Sequence, residues 1–191
     1  MPTGHVSEAP ILSASAANPD YSVLNCVRSL NYCPGMSLIR ILVDGYSLLH
    51  SWPDLAKGFP RHSATAREEL IHRLRLYQDA IGTPITIVFD GSGAPPGTPS
   101  ASSKPELEVL YSKPGQTADQ LIERAAYRFA AYGEVLAVTD DHAERETVMT
   151  AGGTASSCLN FIRDVENALG QMADELKEYN RKERNRYQRR R

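Results

Sequence analysis

The stretch SLIRILVDGYS, residues 37–47, predicts a buried strand that ends in an acid. Residues 38–43 form a mostly apolar run with β-branched side chains, which is typical of a strand that helices cover on both faces. Other segments of the chain have a similar strand character, at residues 84–89, 107–111, 134–138 and 154–156.

Helical patterns separate these candidate strands. The segment from Thr65 to Glu68 has capping-box spacing and predicts a helix that ends at Gly82. Capping-box spacing recurs at residues 117–120 and predicts a helix to about residue 132. Further helices are predicted at residues 142–150 and in a long last segment whose apolar stripe is Leu159, Ile162, Val165, Leu169, Met172 and Leu176. Alternating strands and helices predict an α/β domain with a mainly parallel central sheet flanked by helices.

Composition and charge limit the classes of protein that the chain can belong to. It has 191 residues, of which 41% are apolar, which suits one domain plus extensions. No apolar run approaches the roughly 20 residues that span a bilayer. The net charge of −2 hides a basic C-terminal segment, because residues 177–191 hold eight Lys or Arg against two Glu. This segment can bind a polyanion, whereas the acidic body alone gives no electrostatic case for nucleic acid.

The predicted organisation has three parts. Residues 1–35 are rich in Ser, Ala, Asn and Pro and are expected to form a poorly ordered N-terminal extension. Residues 36–170 form the predicted domain, and residues 171–191 form a basic helical tail. Because Met36 directly precedes the first strand, we also hold the hypothesis that translation starts there. Residues 91–105 read as one long loop rich in Gly, Pro and Ser, and loops of that length are usually functional or mobile.

The three cysteines form no CxxC pair and imply neither a disulfide framework nor a zinc site. This cysteine usage predicts a cytoplasmic protein in a reducing environment. Cys158 is expected to be a packed core thiol.

Aspartates follow three of the predicted strands. Asp44, Asp90 and Asp141 each come at or just after the end of an apolar run, and Asp119 lies in the first turn of a helix. Taken alone, each is more often a turn former or a helix cap, and Asp141 to Glu144 also has capping-box spacing. In a parallel sheet, however, all four would meet outside the carboxyl ends of the strands. Clustered carboxylates repel unless a cation offsets them, and oxygen ligands favour Mg²⁺ or Mn²⁺.

The chemistry that such a site predicts is phosphodiester hydrolysis. A metal at a carboxylate cluster activates a water and stabilises charge on a phosphoryl oxygen, so no covalent nucleophile is required. The chain has no GxSxG, Walker A or HExxH motif that would favour another reaction.

Four blocks in this order, ILVDGYSLLHSWP, ITIVFDG, VLYSKPGQTADQLIER and VLAVTDD, resemble the NYN-domain ribonucleases of the PIN-like superfamily, in particular the YacP-like branch. The resemblance covers about residues 38–169. It implies a PIN-like three-layer sandwich, dependence on Mg²⁺ or Mn²⁺, and endonucleolytic cleavage of RNA. It carries over the catalytic and metal-binding roles to Asp44, Asp90, Asp119 and Asp141.

The chain departs from the family pattern in two places. The family usually has Asn after Asp-Gly-Tyr, where this chain has Ser47. The last block usually reads Thr-Ser-Asp and here reads Thr139-Asp140-Asp141, which aligns Asp141 with the family acid and adds the charge of Asp140.

Other residues near the predicted cleft are candidates for substrate contacts. Ser47 could bind a phosphate or a metal-bound water, Tyr46 could stack on a base, and Lys113 and Arg67 could bind phosphates. Alternatively, Tyr46 packs in the core or at its rim and Lys113 is a solvated surface residue, in which case neither contacts the substrate. Asp140 and Glu123 are candidate supporting carboxylates behind the metal ligands.

The sequence thus predicts a metal-dependent endoribonuclease that acts in the turnover or processing of mRNA or other RNA. Its expected substrate is single-stranded RNA, its second candidate partner is the ribosome, and no membrane is involved. A non-catalytic RNA- or ribosome-binding module is the first alternative, and Ser47 is the feature that favours it. A structure-specific DNA nuclease is the second alternative, although the chain lacks room for the helical arch expected there.

Overall fold

A computed structural model describes residues 37–91, 101–103 and 106–188. Its strands are β1 Leu38–Asp44, β2 Ile85–Phe89, β3 Ala101–Ser103, β4 Leu107–Tyr111, β5 Glu134–Val138 and β6 Thr154–Ser156. Its helices are α1 Gly45–Ser51, α2 Ala64–Ile81, α3 Ala118–Phe129, α4 His142–Thr150 and α5 Cys158–Gln188. The predicted N-terminal extension, residues 1–35, lies outside the described residues.

The strands form one sheet in the order β3-β4-β2-β1-β5-β6. Every neighbouring pair is parallel except β3 and β4, which are antiparallel. Strand β1 lies near the centre, where Asp44 pairs with Val88 of β2 and Val43 with Val138 of β5. The carboxyl ends of β1, β2 and β5 therefore lie side by side at one edge of the sheet.

Helices cover both faces of this sheet. Alternate β1 residues point to opposite sides: Ile41 and Val43 pack against α1, α2 and α5, whereas Leu42 packs on the face covered by α3 and α4. The prediction of an α/β three-layer sandwich with a mainly parallel sheet is confirmed. Within the described residues, no helix is both long enough and apolar enough to cross a bilayer.

Helix α1 begins directly after β1, at a place where the sequence analysis assigned no helix. Asp44 has an extended backbone and caps the helix, with its side chain accepting from the N–H groups of Tyr46 and Ser47. Gly45 is required at this junction because a Cβ there would lie 2.3 Å from Cε1 of Phe89. The close approach of the Phe89 ring thus leaves no room for a side chain at the first residue of α1.

Helix α2 begins two residues earlier than its predicted capping box. Ser63 is the N-cap, has an extended backbone, and accepts a 3.1 Å hydrogen bond from the N–H of Ala66 at Oγ. The predicted cap, Thr65, lies inside the first turn, so that assignment is wrong. The predicted end at Gly82 is confirmed, and its φ of 73° lies in the left-handed region that glycine favours.

The loop predicted at residues 91–105 contains the short edge strand β3, which the sequence analysis missed. Residues 92–100 and 104–105 lie outside the described part of the chain. Helix α3 has the predicted capping box of Thr117 and Gln120, but it ends at Phe129 and not near Tyr132.

Helix α5 buries only the first part of its predicted apolar stripe. Ile162 and Val165 lie in the core, whereas Leu159, Met172 and Leu176 are exposed, so the stripe was wrong at those three positions. The core also contains Phe161, which the stripe omitted. Beyond residue 169 almost every side chain of α5 is exposed.

Candidate metal centre

Three carboxylates come together at the carboxyl edge of the sheet. Oxygen atoms of Asp44, Asp119 and Glu144 all lie within 4.8 Å of one another, a spacing that could hold one metal ion. Asp44 ends β1, Asp119 lies in the first turn of α3, and Glu144 lies in the first turn of α4. The site is therefore assembled from one central strand and the two helices on one face of the sheet.

Local hydrogen bonds fix the position of the Asp44 carboxylate. Its Oδ1 accepts from the backbone N–H groups of Tyr46 at 3.0 Å and Ser47 at 3.2 Å. Its Oδ2 accepts a 2.6 Å hydrogen bond from the Ser47 hydroxyl. Because both oxygens are oriented by α1, Asp44 is held in one position at the cluster.

Asp119 is placed by the capping box at the start of α3. Burial raises the pKa of its carboxyl, and the negative charges of Asp44, Asp141 and Glu123 raise it further. The electrostatic potential at this position is therefore negative, which favours binding of a cation.

Glu144 is the most unusual member of the cluster because it is a buried carboxylate, only 3% exposed. Neither carboxylate oxygen has a hydrogen-bond partner among the described residues. Burial raises the pKa of Glu144 to about 7, and the charges of Asp119, Asp44 and Asp141 add to this, although the nearby Thr139 hydroxyl acts to lower it. Buried acids without partners are costly, and a divalent cation would satisfy both free oxygens. The donor set consists of hard oxygens and fits Mg²⁺ or Mn²⁺.

From the sequence, Glu144 was predicted only as a possible capping-box partner of Asp141 and not as a site residue. The structure has Asp141 as the N-cap of α4, while the Glu144 side chain makes no reciprocal bond. The available signal was the helical spacing of Glu144 and Val148, which are the two buried residues of α4. A buried acid on the inward face of a helix requires a hydrogen bond or an opposite charge, and here the neighbouring side chains are other acids.

Asp141 lies beside the cluster. Its Oδ1 accepts from the N–H groups of Ala143 at 2.7 Å and Glu144 at 3.5 Å. Its charge raises the pKa of both Asp119 and Glu144, so it is electrostatically part of the same site. It is not among the three residues whose oxygens lie within 4.8 Å of one another.

Asp90 follows β2 and is exposed, and it is not brought into the cluster. Its Oδ1 accepts a 3.1 Å hydrogen bond from the Ser112 hydroxyl, whose oxygen in turn accepts from the N–H of Gly91 at 2.8 Å. Gly91 is required here because a Cβ would lie 1.8 Å from the Ser112 carbonyl oxygen. Asp90 thus lies on the β4 side of β2, hydrogen-bonded to Ser112 at the start of the connection between β4 and α3.

The two candidate supporting carboxylates lie in different places. Asp140 accepts from the Ser51 hydroxyl at 2.7 Å and from the Cys158 N–H at 2.9 Å, which links α1 to the start of α5. Partial burial acts to raise the pKa of Asp140, but these hydrogen bonds outweigh it and the pKa is lowered. Glu123 is half-buried on α3, and its charge acts on Asp119.

The candidate substrate contacts also separate into two groups. The Tyr46 ring packs edge-on against Phe89 at 5.2 Å, and its hydroxyl accepts from the Arg67 guanidinium at 3.3 Å. Arg67 is only 5% exposed and also donates to the carbonyl of His62 at 2.9 Å. Lys113 is exposed on the connection between β4 and α3. In this structure Tyr46 and Arg67 are therefore engaged with protein atoms, whereas Lys113 is accessible.

Comparisons with known proteins agree with the fold. The family model described as the YacP-like NYN domain matches residues 41–191. The YacP protein of Bacillus subtilis (strain 168) is 28% identical over 127 residues, which cover 66% of this chain and 74% of that protein. The crystal structure of Rae1 (YacP) from Bacillus subtilis has a TM-score of 0.64 at 25% identity, covering 78% of this chain and 84% of that one. The crystal structure of a single-substitution variant of Rae1 (YacP) has a TM-score of 0.60 at 25% identity, covering 74% of this chain and 82% of that one.

These matches confirm the resemblance that the four sequence blocks indicated. NYN domains are related to PIN nucleases, which supports a nuclease-type function and a nucleic-acid substrate. Nucleases of this kind are generally dependent on divalent metals, in agreement with the acidic cluster at the carboxyl edge of the sheet. The chain belongs to the family of YacP-like NYN domains.

Proposed function

We propose that this protein is a metal-dependent endoribonuclease that hydrolyses phosphodiester bonds of single-stranded RNA in the cytoplasm, in the turnover of mRNA or other RNA. The observation that carries the proposal is the cluster of Asp44, Asp119 and Glu144, whose oxygens lie within 4.8 Å of one another. A cluster of acids that includes a buried carboxylate without partners needs a cation, and family membership supports a nuclease.

The proposed metal ligands are Asp44, Asp119 and Glu144. Asp141 joins them as a fourth ligand, because its helix-capping bonds use only Oδ1 and leave Oδ2 for the site. Asp90 acts from the β2 side, where it positions water or the RNA strand. A bound Mg²⁺ or Mn²⁺ would lower the pKa of a water and stabilise charge on the phosphoryl oxygen.

Other residues near the acidic cluster orient the metal ligands and bind the RNA. The Ser47 hydroxyl holds Oδ2 of Asp44 in place and takes over the position that asparagine has in the family pattern. The ammonium group of Lys113 is exposed on the connection that leads to Asp119, where it can reach a phosphate of the RNA. Tyr46 and Arg67 stabilise this edge of the sheet through their contacts with each other and with Phe89. They contact RNA only where the RNA strand passes over β2.

The basic tail provides a second, less specific contact with RNA. Residues Lys177 to Arg186 lie on the exposed part of α5, and their charges can follow a phosphate backbone. Some are partly neutralised within the helix, as in the 3.0 Å ion pair between Lys182 and Glu178. Because this binding is electrostatic, its affinity should fall as salt concentration rises.

The test is cleavage of single-stranded RNA by the full chain with Mn²⁺ or Mg²⁺, beside Asp44→Asn and Glu144→Gln. A matched control is Asp79→Asn, which neutralises an exposed acid on α2 away from the cluster. The proposal expects cleavage by the parent and the control, loss of cleavage in the two site variants, and full inhibition by a chelator.

Equal cleavage by the parent and Asp44→Asn would refute the assignment. RNA binding without metal binding in calorimetry and without cleavage would identify a non-catalytic RNA-binding module. A preference for structured DNA in a competition assay would identify a DNA nuclease.

A further inference from the structure

A group of exposed basic side chains lies beside α1 at the carboxyl edge of the sheet. It consists of His50 on α1 and of Arg61 and His62 on the connection from α1 to α2, and we call it the basic patch. Nη1 of Arg61 lies 3.2 Å from Nδ1 of His50, and the His62 ring lies 5.1 Å from the Tyr46 ring, centroid to centroid. Residues 61 and 62 are therefore held against α1.

Helix α1 places this patch next to the acidic cluster. Tyr46 and His50, which are four residues apart and share one face of α1, contact the patch. The backbone N–H of Tyr46 also donates to Oδ1 of Asp44 at 3.0 Å, and Ser47 on the neighbouring face donates to Oδ2 of Asp44 at 2.6 Å. The patch and Asp44 are thus separated by about the width of one helix, roughly 10 Å.

The charge of Arg61 is not offset by an acid in the described part of the chain. Lys57, the other cation of this connection, is paired with Asp54 at 2.9 Å. No carboxylate oxygen of a described residue lies within 4.0 Å of the Arg61 guanidinium. Arg61 is exposed, and its contact with His50 involves Nη1 alone. Because arginine has five N–H donors in a fork that fits phosphate oxygens, Arg61 can bind a phosphate from solvent.

Two further features make this part of the molecule positive. The patch lies at the N-terminus of α2, the positive end of the helix dipole, and the first turn of α2 contains no acidic residue. The Arg67 guanidinium, only 5% exposed, donates to the His62 carbonyl at 2.9 Å and to the Tyr46 hydroxyl at 3.3 Å. No carboxylate oxygen of the described residues lies within 4.0 Å of Arg67. This buried cation adds positive potential and holds His62 in place.

We infer that the basic patch binds single-stranded RNA next to the bond that is cut, with Arg61 binding a phosphate and the His62 ring stacking on a base. A flat ring stacks on any base, so this contact positions the strand without selecting its sequence. The inference rests on the proposed function, since it extends the binding surface of the same site. Arg61 and His62 are binding residues, and Tyr46 and Arg67 hold them in place.

The experiment measures binding of a short fluorescent single-stranded RNA to the full chain with Mn²⁺, in an Asp44→Asn background so that cleavage does not interfere. Arg61→Ala should raise the Kd by roughly tenfold, as expected for loss of a charge-assisted bond. The slope of log Kd against log salt should fall in magnitude by about 0.7, the value for one phosphate contact on a single strand. Arg61→Lys should give an intermediate Kd.

The stacking contact has its own pair of variants. His62→Ala should raise the Kd by roughly fivefold or more, because it removes the ring on which a base stacks. His62→Phe keeps a flat ring and should bind RNA with nearly the parent Kd. A His62→Phe variant that binds as weakly as His62→Ala, or a His62→Ala variant with the parent Kd, would overturn the stacking contact.

The matched control is Arg75→Ala, which removes an exposed arginine about three turns further along α2 and should leave the Kd near the parent value. Thermal unfolding of each variant checks the fold. In the presence of Asp44, Mn²⁺ calorimetry of Arg61→Ala checks the metal centre, and cleavage kinetics should show a KM raised by roughly tenfold with little change in kcat.

The outcomes separate the basic patch from the proposed function. If Arg61→Ala weakens binding but Asp44→Asn still cleaves RNA, the proposed function fails and the patch stands. If Asp44→Asn is inactive but Arg61→Ala binds RNA like Arg75→Ala, the patch fails and the proposed function stands. A lower kcat with an unchanged KM in Arg61→Ala would also overturn the patch, because Arg61 would then act on the reaction and not on binding.

Discussion

The hydroxyl of Ser47 donates a 2.6 Å hydrogen bond to Oδ2 of Asp44, the carboxylate oxygen that α1 leaves free of backbone contacts. Ser47 stands where the family pattern has asparagine. The shorter side chain therefore still contacts the first acid of the site, and its effect on that acid can be measured.

Ser47→Ala is expected to weaken Mn²⁺ binding by roughly tenfold or more, because outer hydrogen bonds orient metal ligands. Ser47→Asn should restore most of the affinity, since an amide N–H can donate to the same oxygen. Isothermal titration calorimetry of the three proteins measures the effect. Unchanged affinity in Ser47→Ala would mean that the helix N–H groups alone orient Asp44.

Glu144 is expected to make the stability of metal-free protein depend on pH. Its pKa is about 7 in the folded protein against an ordinary value of 4.5, so between these values the folded state binds more protons than the unfolded chain. Stability therefore falls as pH rises through this range, and the loss is complete above it. Glu144→Gln should remove this loss and raise the free energy of unfolding by on the order of 3 kcal/mol at about pH 8, with a small difference near about pH 5.

Urea unfolding in the presence of a chelator measures this difference at each pH. Mn²⁺ should then stabilise the parent at high pH and have much less effect on Glu144→Gln. A variant that is no more stable than the parent at high pH would show that the Glu144 carboxylate is satisfied without a metal.

Ser63→Ala is expected to destabilise the protein by about 1 kcal/mol, because Ser63 accepts the N–H of Ala66 as the N-cap of α2. Thr65→Ala is the matched control, since this exposed hydroxyl lies inside the first turn and should change stability by less than about 0.5 kcal/mol. Denaturant unfolding compares the two variants. A larger loss of stability in Thr65→Ala than in Ser63→Ala would identify Thr65 as the cap.

Cys158 is expected to resist alkylation in the folded protein. It is a free thiol with no exposed surface, and burial, reinforced by the charge of Asp140, raises its pKa to about 12. Few thiolates are then present at neutral pH. Mass spectrometry after iodoacetamide treatment of a Cys26→Ser/Cys33→Ser variant should find no label on native protein and full label in denaturant. Rapid labelling of the native protein would contradict the core position of this thiol.

The central part of the fold was predictable because each strand in it is a short apolar run, and such runs require cover on both faces. The short β3 was not predictable, because three residues at an antiparallel edge carry no alternating pattern. The cap of α2 was misplaced because Ser63 and Thr65 both offer a hydroxyl before the helical pattern. Only the extended backbone of Ser63 decides between them.

Burial explains the other differences from the sequence analysis. The spacing of Leu159, Met172 and Leu176 fits a helix, but periodicity does not indicate which side and which length of the helix are packed against other elements. For the site, strand ends indicated Asp44 and a helix start indicated Asp119. The helical spacing of Glu144 and Val148 indicates that they share one face of α4, but the packing of that face beside α3 and Asp119 is a tertiary contact that this spacing does not contain.

The most direct test of the central claim is calorimetric titration of Mn²⁺ into metal-free parent protein, Asp44→Asn, Glu144→Gln and the surface control Asp79→Asn. The parent and Asp79→Asn should bind Mn²⁺ with the same affinity, and each of the two site variants should lose at least about tenfold in affinity. Binding of Mn²⁺ by Glu144→Gln and Asp44→Asn with the affinity of the parent would contradict a metal centre built on these carboxylates.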